Sequence, residues 1–326
     1  MKKNRINISV TALGAIILIT IPFLYGHVQV EEKQHHSMQS EVPYMVTSPA
    51  IPEQVTFAGQ KIDLTRYDRR ERMDREQMAF TYMHSTTMLT IKKANRYFPV
   101  IEPILKANGI HDDFKYLMVI ESNLNTQARS AAGAAGLWQF MQTTGREYGL
   151  EVNSNIDERY NIEKATRAAC NYLKKSYELY GDWITVAASY NAGNGRITGE
   201  LSKQLATNAM DLWLVEETSR YMFRILAAKR VFENPKQFGF LLKEEQLYPP
   251  IPHKEITVTT GIQNLAEFAE KHGITFAQLK DANLWLRGYS LENKSGRTYV
   301  LSIPEKEGMY YNPKKTKAHS KAWIID

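Results

Sequence analysis

The sequence predicts a mainly α protein with an apolar N-terminal helix and a small β-α-α-β module near the C-terminus. Three observations lead to this fold class. Residues 6–25 are almost all apolar, and apolar residues recur at helical spacing from about residue 70 to residue 240. A proline-rich break at 247–255 is followed by two strand-like and two helix-like segments.

The N-terminal segment has the composition of a membrane-spanning helix. Lys2, Lys3 and Arg5 precede the run 6–25, whose length is close to the ~20 residues that cross a bilayer. Positive flanking residues keep that end in the cytoplasm, so we expect the rest of the chain on the periplasmic side of the cell envelope. Residues 24–26 fit a signal-peptidase site poorly, which favours an uncleaved signal anchor over a cleaved signal peptide.

Composition says more about the molecules that surround the chain than about any reaction it catalyses. The 326 residues carry a formal net charge of +6, which favours an anionic neighbour such as nucleic acid, phospholipid or an acidic wall polymer without choosing among them. The single cysteine, Cys170, cannot form an internal disulfide, and its apolar neighbours predict a buried thiol. Because the eight histidines are scattered, we expect no metal site.

The first half of the chain changes from a tether to helices. Residues 27–65 hold three prolines among mixed polar residues without a sustained period, which predicts a tether between membrane and domain. From Arg66 a charge run predicts a helix with one solvated face that continues to Phe98. Beyond Pro99 the next helical segment ends at Gly109, the residue type that best accepts a left-handed turn.

Later helices have clear ends. The segment 161–180 places its small and apolar residues on one face and stops at Gly181, and Asp182 is expected to cap the helix that follows. A further helix at 216–233 is stopped by Asn234 and proline. The last module would then comprise a strand, two short helices and a closing strand, followed by a basic tail that we expect to be loose.

Glu121 is the candidate catalytic residue. Phe114, Leu117 and Met118 precede it by seven, four and three residues, which places its carboxylate on their apolar face. Desolvation there would raise the pKa, so the acid could hold a proton near neutrality and release it. The alternative is a glutamate in a helix-end salt bridge or facing water. The helix is expected to begin at one of three capping residues, His111, Asp112 and Asp113.

Two further stretches are candidates for ligand contact. The small residues 131–136 would let a polymer lie close to the backbone, although such turns also simply connect helices. Trp138, Gln139 and Met141 follow at the start of a new helix; Trp138 is expected in the core, whereas a buried Gln139 amide needs partners.

The stretch "SYNAGNGRI", residues 189–197, ends a helix in a loop with two glycines. This loop can present Tyr190 and Asn191 beside a ligand or can be a mere turn. A phosphate-binding loop is excluded by context, because no strand precedes the glycines.

Four motifs stand in order along the chain: "ES" at 121–122, "GLWQFM" at 136–141, "YNAGNGRI" at 190–197 and "ETSRY" at 217–221. Together they resemble the successive motifs of lytic transglycosylases with a goose-type-lysozyme-like catalytic domain. "DER" at 157–159 followed by "KATRAA" at 164–169 is similar to the membrane-bound lytic murein transglycosylase D type. The resemblance covers residues 95–235.

The resemblance implies a lysozyme-like α-helical catalytic domain that acts on peptidoglycan glycan strands without a cofactor. The reaction would cleave the β-1,4 bond between N-acetylmuramic acid and N-acetylglucosamine, with Glu121 as the catalytic acid and base. The family's cleft positions fall on Ser130, Gln139, Met141, Tyr190 and Glu217, with Asn191 beside them.

A single acid is sufficient for this reaction. Hydrolysis of a glycoside normally uses two carboxylates, but the motifs contain one strong candidate. Glu217 begins a helix, where its charge suits the helix dipole and its role is open. In the implied reaction the C6 hydroxyl of N-acetylmuramic acid attacks its own C1 and forms a 1,6-anhydro ring. Glu121 would protonate the leaving oxygen and then take the proton of that hydroxyl.

The C-terminal module resembles a LysM domain, a small wall-binding fold. The usual "GDTL" after the first strand is replaced by "GIQNL", so the scaffold is better supported than the glycan affinity. The expected organisation is 1–26 signal anchor or signal peptide, 27–65 tether, 66–240 catalytic domain, 241–255 linker, 256–304 LysM-like module and 305–326 basic tail.

Two alternatives stay open at the level of sequence. One is a hydrolytic muramidase on the same fold, and the other is a non-catalytic peptidoglycan-binding protein, against which the intact motif set argues. A nucleic-acid partner is disfavoured because the basic residues form no aromatic-interleaved stripe and the chain is expected to be exported.

Overall fold

Helices account for most of the described chain, as the apolar spacing predicts. The computed structural model describes residues 47–294 and 296–325. The predicted signal anchor, 1–26, lies outside these ranges. Within them, no helix is both long enough and apolar enough to cross a bilayer. The eight helices that precede the C-terminal module are α1 (Tyr67–Tyr82), α2 (His84–Ala107), α3 (Phe114–Ser122), α4 (Gln142–Glu147), α5 (Ile162–Tyr180), α6 (Trp183–Ala192), α7 (Asn194–Gln204) and α8 (Glu216–Glu233).

Helix ends that carry a clear chemical signal lie where the sequence places them. Gly181 ends α5 in the left-handed region with φ +63°. Asp182 caps α6, accepting a hydrogen bond from the Thr185 amide at 2.7 Å. Cys170 on α5 is fully buried, which confirms the prediction of a core thiol.

The predicted boundary at Pro99 is wrong. The charged helix instead breaks at Met83, and α2 runs on through Pro99 and Pro103 to Ala107. A proline inside a helix removes one backbone hydrogen bond. The buried residues of α2, including Phe98 and neighbours from the next two turns, supply the packing that keeps the helix intact.

The tether prediction is wrong for the residues just before α1. Strands β1 (Gln54–Phe57) and β2 (Gln60–Asp63) pair as an antiparallel hairpin. Ala58 and Gly59 form its turn with φ of +48° and +78°, values that suit a two-residue hairpin loop. Because Phe57 has no exposed surface, the hairpin belongs to the fold of the helical region.

Asp113 occupies a predicted N-cap position, directly before α3, but its side chain does not cap the helix and instead joins three elements. No side chain caps the first turn of α3. The Asp113 Oδ2 atom instead accepts from the Lys229 Nζ on α8 at 2.7 Å and from the Ala58 amide at 2.8 Å. This buried ion pair connects the hairpin, α3 and α8, because a buried carboxylate needs a charged or hydrogen-bonding partner.

The C-terminal module has the predicted β-α-α-β order. Its elements are β3 (His253–Val258), α9 (Leu265–Lys271), α10 (Phe276–Ala282) and β4 (Tyr299–Pro304). The strands are antiparallel, with Val258 opposite Tyr299 and His253 opposite Pro304. The module contacts the helical region through 153–157, where the Asp157 amide donates to the Trp285 carbonyl at 2.8 Å.

The basic tail is not loose, contrary to expectation. Trp323 is 3% exposed, and its indole packs at 5.8 Å between ring centroids against Phe98 of α2. Its Nε1 donates to the Phe232 carbonyl at 2.6 Å. The buried amide of Asn95 donates to one backbone carbonyl of the tail and accepts from the backbone of His319. Trp323 therefore anchors the lysine-rich tail in the core, while the lysine side chains of the tail stay exposed to solvent.

Candidate active site

Glu121 lies in the last turn of α3, on a helix that is buried along almost its entire length. Phe114, Leu117 and Met118 have no exposed surface, which confirms the apolar face predicted beneath the acid. Glu121 itself is partly exposed, so the carboxylate borders solvent while its helix lies in the core. Asn123 and Leu124 follow with φ of +48° and +53°, and this left-handed backbone ends α3 directly after the acid.

Burial raises the pKa of Glu121 to about 7. Two groups on α8 act against burial, because the Tyr221 hydroxyl donates to Oε1 at 2.5 Å and the Arg224 charge stabilises the carboxylate. The negative charge of Glu217 raises the pKa further. At neutral pH both protonation states are populated, as a group that alternates between acid and base requires.

The loop of small residues is held by a buried arginine. Arg159 forms an ion pair with Asp157 at 2.8 Å, and its Nη1 donates to the carbonyls of Gly133 and Phe140. Gly136 has φ +76°, and a Cβ atom there would lie 2.0 Å from the Arg159 carbonyl oxygen. No other residue type fits this approach.

Ser130 and Gln139 bind the same loop from within. The Ser130 hydroxyl accepts from the Ala134 amide at 3.0 Å, and the Gln139 side chain donates to the Gly136 carbonyl at 2.7 Å. Both side chains are partly buried. Met141 follows with 45% of its surface exposed, just ahead of α4. These three predicted site residues thus belong to one loop. Ser130 and Gln139 form hydrogen bonds within it, and Met141 lies at its surface.

Tyr190 connects α6 to this loop. Its hydroxyl donates to the Trp138 carbonyl at 2.8 Å. Burial raises the pKa of Tyr190 well above its usual value, and the charge of Glu121 adds to that shift, so the phenol is neutral and close to the acid. Asn191 is partly buried on the same helix, and Gly193 with φ +85° separates α6 from α7.

Glu217 lies exposed in the first turn of α8. Of the acidic groups in residues 47–294 and 296–325, it is the one whose charge acts on the pKa of Glu121. Asp112 forms a salt bridge with Lys115 near the opposite end of α3 and does not act on that pKa. Tyr190 and Glu217 are therefore the predicted site residues that interact electrostatically with Glu121.

Sequence reasoning missed two residues of the site. Tyr221 is the direct hydrogen-bond partner of Glu121, and Arg224 lies one helical turn further on. Tyr221 is within the "ETSRY" motif, four residues after Glu217 and therefore on the same helix face. That spacing was the available signal, whereas the contact between α3 and α8 depends on tertiary packing.

A cavity of about 850 Å³ lies elsewhere, around the beginning of α3. Pro99, His111, Trp183 and His319 are among its lining residues, and neither Glu121 nor any of its partners is. The carboxylate that titrates near neutrality is therefore outside this cavity.

Comparison with protein families identifies two regions of the chain. Residues 99–211 match the transglycosylase SLT domain, a range that includes Glu121, the loop held by Arg159 and Tyr190. The chain carries a transglycosylase SLT domain. Residues 254–307 match the soluble lytic transglycosylase C-terminal LysM-like domain, which confirms the LysM-like nature of the β-α-α-β module. The match to the SLT domain ends before α8, so Tyr221 lies beyond it.

Similar proteins include lytic transglycosylases. The chain is 29% identical over 252 residues to membrane-bound lytic murein transglycosylase D of Escherichia coli (strain K12), covering 76% of this chain and 54% of that protein. Peptidoglycan transglycosylase gp16 of Escherichia phage T7 is 29% identical over 133 residues, 40% of this chain and 10% of its own. The chain thus spans about half the length of the Escherichia coli relative.

Among solved structures, the 70 kDa soluble lytic transglycosylase SLT70 of Escherichia coli is similar to part of the chain. It shares 22% identity with a TM-score of 0.37, covering 42% of this chain and 24% of that one.

Proposed function

We propose that the protein is a peptidoglycan lytic transglycosylase that cleaves the β-1,4 bond between N-acetylmuramic acid and N-acetylglucosamine and leaves a 1,6-anhydromuramic end. The SLT domain and the homology to lytic murein transglycosylases support this activity. One observation carries the mechanism: Glu121 has a pKa of about 7 and a neutral tyrosine, Tyr221, as its hydrogen-bond partner.

Glu121 acts twice in the proposed reaction. Its proton passes to the glycosidic oxygen as the bond from C1 to the departing N-acetylglucosamine breaks. The C6 hydroxyl of N-acetylmuramic acid attacks C1 on the same sugar, and its proton passes to the ionised Glu121. No water is consumed, and the acid returns to its starting form. Intramolecular attack gives a high effective concentration of the nucleophile, which removes the need for a second catalytic carboxylate.

The other predicted site residues would hold the glycan strand. We assign Ser130, Gln139 and Met141 to one wall of the cleft, because they share the loop fastened by Arg159. Tyr190 and Asn191 contribute from α6. Since the Gln139 and Tyr190 side chains are bonded to loop backbone, their contribution includes fixing the shape of that wall.

Product analysis tests the reaction. Purified peptidoglycan is digested with the protein, and the soluble fragments are weighed by mass spectrometry. Lytic cleavage gives anhydro ends that are lighter than reducing ends by one water, and reducing ends alone would refute the mechanism. The matched control is Glu121→Gln, which keeps the side-chain shape and should lower kcat by about 10²–10⁴-fold. Equal clearing of murein by both proteins would show that Glu121 is not the catalytic acid, and no clearing by the parent would favour a role in binding alone.

One observation favours a hydrolytic muramidase as the second candidate. Glu217 is an exposed carboxylate whose charge reaches Glu121, so it is a possible base for activating water. In that case Glu217→Gln would abolish cleavage, and the parent would produce reducing ends. In the lytic reaction the same variant still cleaves peptidoglycan and produces anhydro ends.

We further propose that the enzyme works in the cell envelope on the periplasmic side, held by an N-terminal signal anchor at 1–26. The name of the Escherichia coli relative, a membrane-bound enzyme, supports an envelope location. The LysM-like module, residues 256–304, is proposed to bind the same glycan. Amino-terminal sequencing of the protein from the membrane fraction tests whether the anchor is retained.

A further inference from the structure

One tryptophan differs from the other four in its exposure. Trp213 has 82% of its surface exposed. Trp183 is partly buried and stacks on Tyr177 at 3.9 Å between ring centroids. The remaining three, Trp138, Trp285 and Trp323, are at most 4% exposed. A large apolar ring left in water needs an explanation other than packing.

The backbone of Trp213 is fixed although its side chain is free of packing. The Gln204 side chain accepts from the Trp213 amide at 2.7 Å and donates to the Trp213 carbonyl at 3.0 Å. Leu212 and Leu214, on either side, are 3% and 9% exposed. The neighbours are therefore anchored in the core, and the extended backbone between them turns the indole outward.

Trp213 lies close along the chain to the residues of α8 that act on Glu121. Helix α8 begins three residues later at Glu216, and Glu217, whose charge acts on Glu121, is in its first turn. Tyr221, the hydrogen-bond partner of Glu121, lies five helical residues beyond Glu216. Chain geometry limits the distance between the Cα atoms of Trp213 and Tyr221 to roughly 18 Å. A glycan strand of a few sugars that enters the cleft can span this distance.

The exposed ring suits a sugar better than a phosphate or an ion. The face of an indole is flat and apolar, its Nε1 is a single donor, and one face of a pyranose ring presents mostly C–H groups. Leu205 and Val215, 92% and 49% exposed, extend the apolar surface near Trp213. A glycan is the expected occupant, because the exposed Val215 directly precedes α8, the helix that supplies the partners of Glu121.

We propose that Trp213 is a sugar-stacking platform at the rim of the cleft, binding a pyranose ring of the peptidoglycan strand several units from the cleaved bond. This rests on the proposed function and adds a subsite to it. Trp213 affects binding of the strand and leaves proton transfer by Glu121 unchanged.

Fluorescence tests the contact directly. In the Glu121→Gln background, which prevents cleavage, amidase-stripped peptidoglycan glycan strands are titrated against the protein. Binding should change the tryptophan emission, because Trp213 is the most exposed of the five tryptophans. The change should disappear in Glu121→Gln/Trp213→Phe although that double variant still binds the strands in a sedimentation assay. If the double variant shows the same change in emission on binding as Glu121→Gln alone, the proposal is overturned.

Kinetics separate this role from a structural one. In the Glu121-containing enzyme, Trp213→Ala should raise KM about tenfold and leave kcat within about twofold, and Trp213→Phe should restore most of the affinity. Tyr310→Ala removes an aromatic side chain that is 68% exposed in the C-terminal tail and serves as the matched control, with no effect expected.

The outcomes distinguish this proposal from the proposed function. If the parent releases anhydro ends and Trp213→Ala matches it in KM, the subsite is refuted and the lytic activity stands. If the parent releases no anhydro ends, the proposed function fails. If Trp213→Ala keeps the parental KM but loses binding to anionic phospholipid vesicles, the occupant is a membrane surface and the glycan subsite is refuted.

Discussion

Several groups raise or lower the pKa of Glu121, and single substitutions can measure the effect of each group. Burial and the Glu217 charge raise this pKa, whereas the Tyr221 hydrogen bond and the Arg224 charge lower it. A general acid is active while protonated, so kcat/KM should fall as pH rises through about 7. Tyr221→Phe should move this alkaline limb to higher pH, and Glu217→Gln should move it to lower pH.

The measurement is kcat/KM on peptidoglycan between pH 5 and 9 for the parent and the two variants, with Tyr310→Ala, an exposed residue of the C-terminal tail, as a control. The opposite directions of the two shifts are the decisive feature. Limbs that coincide in all four proteins would assign the pH dependence to a group other than Glu121.

The same pKa shift has a consequence for stability. The folded-state pKa of Glu121, about 7, exceeds its ordinary value of 4.5, so the folded protein binds a proton more tightly than the unfolded chain. The contribution of Glu121 to stability is therefore fully present below pH 4.5 and is lost as pH rises through about 7. The loss amounts to roughly 3 kcal/mol.

Glu121→Gln removes this titration, so we expect the variant to gain stability relative to the parent as pH increases. The difference in unfolding free energy should grow between pH 4.5 and 7 and then stay constant, up to roughly 3 kcal/mol. Urea unfolding at pH 4, 6 and 8 measures it. A difference independent of pH would show that the Glu121 carboxylate is not desolvated in the folded state.

At the level of elements, two glycines in the same loop provide a matched comparison. Gly133 and Gly136 both have positive φ, but a Cβ atom on Gly133 meets open space, whereas one on Gly136 meets the Arg159 carbonyl oxygen at 2.0 Å. Gly133→Ala should cost about 1–2 kcal/mol of backbone strain. Gly136→Ala should cost more than about 3 kcal/mol and reduce activity, because the loop must move away from Arg159.

Unfolding free energies and kcat on peptidoglycan check this prediction. Equal losses in the two variants would mean that the loop yields easily at Gly136 and that Arg159 does not fix its position.

An element could be predicted from the sequence where the interactions that determine it join residues close together in the chain. Helix α5 ends at Gly181 and helix α6 begins after Asp182, because a glycine turn and a capping carboxylate act over a few residues. The course of α2 through Pro99 depends on packing with distant helices, which a sequence window does not contain. The site divides in the same way: Glu121 could be found from its apolar face, whereas its contact with Tyr221 joins residues 100 positions apart.

At the scale of the whole molecule, the C-terminal tail packs into the helical region. Trp323 packs against Phe98 and Phe232, which belong to α2 and α8. Trp323→Ala should lower the unfolding free energy by about 3–5 kcal/mol, since it leaves a cavity and an unpaired carbonyl. Tyr310→Ala, in the same tail and 68% exposed, should change it by less than about 0.5 kcal/mol.

Chemical denaturation of the full chain measures both tail variants. If Trp323→Ala is as stable as Tyr310→Ala, the tail is dispensable and the expectation of a loose tail would regain support.

The sequence by itself determined the mainly α class, the β-α-α-β module, the position of the acid and the order of the family motifs. These depend on periodicity, caps and short spacings, which act between near neighbours. Only the tertiary structure decided that Tyr221 and Arg224 lower the pKa of Glu121 and that Asp113 forms a buried ion pair. It also decided that residues 54–63 fold as a hairpin and that Trp323 anchors the tail in the core. The physical reason is that burial, which sets pKa values and stabilises segments of weak local preference, arises from residues far apart in the chain.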